Sequence, residues 1–179
     1  MAYLRDMHNI KNLKEKLITL RTLHQNAFYQ LENFFKKVFD KASEVQFHSA
    51  DIMTLPEFSF MVKDANNVIT YQSDHLDNPI FILFEDSLLN GIGANQKINF
   101  KDALVEAVNK YWEPVYPLSF KETALKYDLN KDFNADEKNQ IVFMIAGEAF
   151  FANGLNGIFY IIYPTEKIEE NLYQESVNG

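Results

Sequence analysis

Three residues of this chain could act together in chemistry, namely Asp102, Glu106 and Asn109. Their spacing puts them at i, i+4 and i+7, one face of a helix, so two carboxylates and an amide can turn toward a single partner. The same residue types are common on solvated helix faces, and that plain reading stands beside the chemical one. The break Asn90-Gly91-Ile92-Gly93-Ala94 reads, from its residues, as a helix C-cap followed by a flexible turn. Other chemistry is poorly supplied. No cysteine is present, which excludes disulfides, thiol catalysis and zinc–thiolate sites. The four histidines, His8, His24, His48 and His75, share no ligand spacing, so no metal site is expected and no cofactor is called for. There is no phosphate-binding glycine loop with its lysine, no GxSxG elbow and no HExxH.

The elements that must position these residues can be read from periodicity. Ala103, Leu104, Ala107, Val108, Tyr111 and Trp112 make one apolar face of a helix over Phe100–Trp112, which Pro114 should stop by disfavouring the α conformation of the residue before it. Ile10–Ala42 carries a longer amphipathic pattern (Ile10, Leu13, Leu17, Leu20, Ala27, Leu31, Phe34, Val38) with neither Gly nor Pro. His24 falls on that stripe, where a buried, hydrogen-bonded histidine is the expectation. Trp112 is expected to anchor the core. Strands are expected at Glu44–Met53, Val68–Gln72, Pro79–Phe84, Val115–Lys126, Gln140–Phe151 and Gly157–Tyr163, with Leu55–Val62 an irregular apolar stretch. The unbroken run PIFILF reads as a strand covered on both faces. Asp128–Lys138 reads as an exposed loop, and Pro164 as the start of a last helix.

The bulk numbers bound the rest. With 179 residues, 47% of them apolar and 15% aromatic, the chain suits one packed domain, 1–179, with 1–9 as a lead-in and 175–179 as a tail. A net charge of −8 argues against a nucleic-acid partner. The charge is uneven: Asn9–Ala42 has seven Lys/Arg against three Asp/Glu, a local +4 that leaves −12 for the remainder of a chain at −8. The basic helix is either a solvated face or a docking surface for an acidic partner. No apolar run approaches the length of a membrane span and no leader pattern opens the chain, so a cytoplasmic protein without membrane insertion is expected.

The chain also repeats. Asn78-Pro79-Ile80-Phe81-Ile82-Leu83-Phe84 matches Asn156-Gly157-Ile158-Phe159-Tyr160-Ile161-Ile162. A helix running into Glu44-Val45-Gln46-Phe47 matches a helix running into Glu113-Pro114-Val115-Tyr116. Two such halves predict an α+β domain with pseudo-twofold symmetry: a mixed sheet covered by two long helices plus short helices.

With both halves placed, residues 15–173 resemble the CheC/FliM/FliY family of chemotaxis and flagellar-switch proteins, in particular the middle domain of the flagellar motor switch protein FliM. The resemblance is carried by Trp112-Glu113-Pro114-Val115, by Pro117-Leu118-Ser119-Phe120, and by the strand-to-helix runs Asn78–Leu89 and Gly157–Leu172. It implies a non-enzymatic protein-interaction domain at the cytoplasmic face of the flagellar motor. It also implies partners such as a FliG-like switch protein, met through the stretch at Asn90, Gly91 and Gly93, or a CheY-like response regulator. CheC-type relatives use an acid and an asparagine spaced as Asp102, Glu106 and Asn109 are here, the amide orienting a water onto an aspartyl phosphate. A CheC-like phosphatase is therefore one alternative, and a structural adaptor that kept the fold is another. Asp132 stands where that family's downstream proline falls. The first ten residues do not resemble FliM's CheY-binding segment, and no FliN-like C-terminal domain follows, so a lone middle domain is expected.

Overall fold

The structure is a computed structural model that describes residues 2–61, 67–74, 76–88, 99–116, 118–123, 140–151, 154 and 156–165, with side chains from residue 11 onward. Helix α1 runs from Ala2 to Val38, so it takes in the segment expected as a lead-in. Thirty-seven residues without Gly or Pro give a rod of about 55 Å. Leu13, Leu20, Leu23, His24, Ala27, Phe28, Leu31 and Phe35 form its buried side. The expected stripe drifts at the C-terminal end, where Phe35 is buried and Phe34 and Val38 are exposed. Lys36 and Lys37 complement the helix C-terminus, and Asp40 Oδ1 accepts from the Ala42 N–H at 2.8 Å to turn the chain into the sheet.

Strand β1 is Glu44–Thr54, followed directly by a short helix α2, Leu55–Met61. The stretch expected to be irregular is thus helical. Thr54 Oγ1 accepts from the Glu57 N–H at 3.3 Å, and Leu55 and Phe58 are buried. Strands β2 (Asn67–Gln72) and β3 (Ile80–Phe84) precede a 3-10 turn at Asp86–Leu88. Helix α3, Phe100–Trp112, has the expected bounds and is capped by Asn99, whose side chain accepts from the Lys101 N–H at 2.9 Å. The last strands are β4 (Lys121–Glu122), β5 (Ile141–Phe150) and β6 (Asn156–Pro164). Gly154, at φ 84°, supplies the left-handed residue between β5 and β6. Pro164 is the last residue of β6, and the helix expected after it, the loop 128–138 and the stretch around Gly91 lie outside the described residues.

Two expectations fail for clear reasons. The strand expected at Val115–Lys126 is, among the described residues, only Lys121–Glu122. Pro114 and Pro117 have no N–H to give a ladder. Val115 and Tyr116 both donate to Trp112 O at 2.8 Å, and Phe120 donates to the Asn109 side chain, so these backbone groups are spent before any strand can claim them. Nor does Pro114 break the helix at once, since Glu113 stays in the right-handed helical region at φ −47°.

The sheet, expected to be mixed, is antiparallel at every junction of its order β1-β5-β6-β3-β2-β4. The α3 crossover carries the chain from β3 to β4, but β2 lies between them, so the two strands that run the same way are not neighbours.

That order is unchanged when the two halves are exchanged, β1 for β4, β2 for β5 and β3 for β6. The register agrees. Phe81 pairs with Ile162, and the repeat maps that pair onto Phe84 and Phe159, which also pair. Ile82–Ile161 maps in the same way onto Leu83–Tyr160. The outer strands correct the repeat. Tyr71 pairs with Glu122 and Glu148 with Gln46, so the counterpart of β1's first turn into the sheet is Phe120–Glu122, not Glu113–Tyr116.

Helices α1 and α3 lie together on one face of the sheet. They run antiparallel, since Phe35 stacks on Phe100 at one end while the His24 and Trp112 rings meet edge to face at the other. Beneath them lie Ile80, Ile82, Phe84, Phe143, Ile145, Phe159, Ile161 and Tyr163. Phe81, Leu83, Val142, Met144, Ala146 and Ile162 point to the opposite face, against Leu55 and Phe58 of α2. β3 is buried at all five positions, as its unbroken apolar run requires. At Gly147 an added Cβ would stand 2.5 Å from Phe159 Cζ and 2.9 Å from Phe28 Cε2, so the bare backbone is what lets α1 approach.

Candidate functional site

Helix α3 places the three candidate residues on one side, as their spacing requires, but gives each a different role. Asn109 is half-buried, and its side-chain oxygen accepts the Phe120 N–H at 3.0 Å. That bond holds the proline-containing segment as it enters β4. In the first half, one register position further along, Glu32 on α1 accepts the Val45 N–H at 3.0 Å where β1 begins. In each half, a helix side chain thus receives the first strand. Glu106 is exposed and lines a shallow depression in the α1–α3 seam with Leu31, Phe34, Ala103, Ala107 and Lys110. Asp102 is exposed in the first turn of α3, where the helix dipole favours a carboxylate. Burial, then the charge of Glu122 and last that of Asp102, push the nearby Tyr71 phenol above its ordinary range. Of the three, Asn109 is engaged by the Phe120 N–H, while Asp102 and Glu106 stand exposed on the same helix. Asn90, Gly91 and Gly93 lie outside the described residues.

Among the described residues, a buried polar network joins His24, Tyr163 and Trp112. Trp112 Nε1–H donates to Tyr163 Oη at 3.0 Å, and Tyr163 Oη is 2.7 Å from His24 Nε2. His24 Nδ1 is 2.7 Å from Leu20 O, which can only accept. Nδ1 therefore carries the proton, Nε2 accepts from the Tyr163 hydroxyl, and the chain of bonds is complete. Three elements, α1, α3 and β6, are joined by it. The rings also meet edge to face, His24 with Tyr163 at 5.3 Å and Trp112 with Tyr163 at 5.4 Å.

Burial governs the titration of this group. Removal from water pushes His24 down to about 4, against a smaller opposite effect of the Leu20 carbonyl bond. Burial also pushes Tyr163 up. Imidazole, phenol and indole are all fully buried, which leaves them no access to a substrate. The sequence places His24 and Trp112 in the core, but nothing in it couples them to Tyr163, which reads as one more apolar residue of a strand. Among the described residues no cluster of His, Asp and Glu could hold a metal ion. No described helix is long and apolar enough to cross a membrane.

Solved structures with this architecture include the middle domain of FliM. In the FliG–FliM complex from H. pylori, the matching chain is 19% identical at a TM-score of 0.71, covering 88% of this chain and 98% of that one. In the FliM–SpeE complex from H. pylori the values are 19% and 0.71, with 90% and 96% covered. The FliM middle domain of Vibrio alginolyticus is 15% identical at a TM-score of 0.69, with 86% and 99% covered. No family profile and no curated protein matches the chain.

Proposed function

We propose that this chain acts by binding other proteins, as a non-enzymatic domain of the flagellar switch and chemotaxis type, with a FliG-like switch protein as its partner. The observation that supports this is the fold it shares with FliM middle domains over nearly the whole of both chains, one of them in complex with FliG. In this reading the protein works in the cytoplasm, at the cytoplasmic face of the flagellar motor, and the Asn90–Gly93 stretch meets the partner. The commitment of Asn109 to the Phe120 N–H counts against the phosphatase reading, because the amide oxygen already holds the β4 entry in place.

Titration calorimetry of the chain with the FliG encoded in the same genome tests the proposal. Saturable binding weakened by Gly91→Glu and Gly93→Glu is expected, and no heat with FliG or any other switch component overturns it. In a parallel assay, the chain is expected to leave the dephosphorylation rate of a phosphorylated CheY-like regulator unchanged. Acceleration that Asn109→Ala abolishes would replace the interaction reading with the enzymatic one.

A further inference from the structure

The outward side of α1 carries a second pattern besides the one facing the core. Lys11, Lys14, Ile18, Arg21, Gln25 and Tyr29 recur at spacings of three and four, a stripe about 27 Å long that points away from Leu13, Leu20, Ala27 and Leu31. Ile18 is 66% and Tyr29 61% exposed, two large apolar residues among cations. Lys11, Lys14 and Arg21 are exposed and make no ion pair among the described residues, although the chain holds 25 Asp and Glu against 17 Lys and Arg. Where α1 passes the end of α3, Ile18 forms one wall of an apolar depression of about 390 Å3 whose other walls include Leu23, Tyr111, Pro114 and Val115.

Unpaired cations, exposed apolar side chains and an adjoining depression occur together along one line. We infer that this stripe docks an acidic amphipathic helix of a partner protein. The helix's carboxylates face Lys11, Lys14 and Arg21, and one apolar side chain enters the depression beside Ile18. The charge separation within the chain supports that occupant: a basic surface on a protein of net −8 attracts an acidic segment locally, while the body repels one that docks elsewhere. A second copy laid stripe against stripe would bring the cations of both chains into one seam, a like-charge arrangement that costs affinity. Two apolar residues are too few to insert the helix into a bilayer. The stripe shares no residue with the Asn90–Gly93 stretch, so failure to bind an acidic helix would leave the FliG reading untouched.

The probe is a fluorescein-labelled synthetic helix of about 20 residues, with glutamates along one face and two leucines placed to meet Ile18 and Tyr29. Its anisotropy is followed as the full chain is added at low salt. Saturable binding is expected, weakened about tenfold by Lys14→Glu with Arg21→Glu and by Ile18→Ser, and lost when the peptide's glutamates are lysines. Circular dichroism melts of these exposed-site variants check that the fold persists. Absent binding, or binding indifferent to the three substitutions, overturns the inference. So does a result in which the peptide stays free while phosphatidylserine vesicles or a second copy bind through the same residues.

Discussion

Replacing His24 with glutamine and following stability against pH tests the buried network, because its titration carries a defined sign and size. An unfolded histidine titrates near 6.5, and burial holds this one at about 4. Above pH 6.5 the ring is neutral in both states and titration contributes nothing. Below it the unfolded chain takes up a proton that the folded chain refuses, so stability falls with pH until the folded ring also protonates near 4. The slope is about 1.4 kcal/mol per pH unit and the total loss roughly 3 kcal/mol. Against a domain stability of roughly 5–15 kcal/mol, that is a large fraction.

The assay is urea denaturation at several pH values between 7 and 4, read by fluorescence of Trp112, the one tryptophan and fully buried. Glutamine does not titrate, and the carboxylates common to both proteins cancel in the difference. The advantage of the natural protein over His24→Gln should therefore shrink by roughly 3 kcal/mol between pH 7 and 4. A difference that stays flat with pH refutes the buried neutral imidazole and the bond order drawn through Tyr163.

Three further outcomes follow from the packing. Tyr163→Phe leaves the Trp112 N–H and His24 Nε2 without their shared partner, and should cost about 2–4 kcal/mol by the same denaturation assay. Gly147→Ala forces a methyl against Phe159 and Phe28, and should lower stability by about 1–3 kcal/mol in thermal unfolding. Asn109→Ala should cost about 1–2 kcal/mol by removing the acceptor for the Phe120 N–H, while Glu106→Ala on the open surface stays within about 0.5 kcal/mol. Equal losses at the two positions would contradict the separate roles assigned to them.

Much of the fold was legible because its signals are local. The periodicity around Phe100–Trp112 located α3, and the run from Pro79 to Phe84 announced a strand covered on both sides. The repeat between Asn78–Phe84 and Asn156–Ile162 located the sheet's centre, since those two segments pair with each other. What failed depended on partners distant in sequence. Val115–Phe120 alternates like a strand, yet its backbone bonds go to Trp112 O, Asn109 and Ser73, which no periodicity reveals. Leu55–Met61 is too short for a helical period to declare itself, and it folds where β1 delivers it. The candidate triad was legible as a helix face, but the use of Asn109 depended on Phe120 arriving beside it.

The exchange of outer strands between halves has a consequence for synthesis. β1 pairs with β5 rather than with a strand of its own half, so Glu44 must wait for Phe150 before its ladder can close. A nascent chain stalled before β5 would expose a long, half-apolar edge, and the non-local pairing makes closure slow. Either half made alone has the same deficiency, and the remedy is already encoded: two copies of a half can lend each other the missing neighbour. Joining the two halves in one chain supplies each with that neighbour.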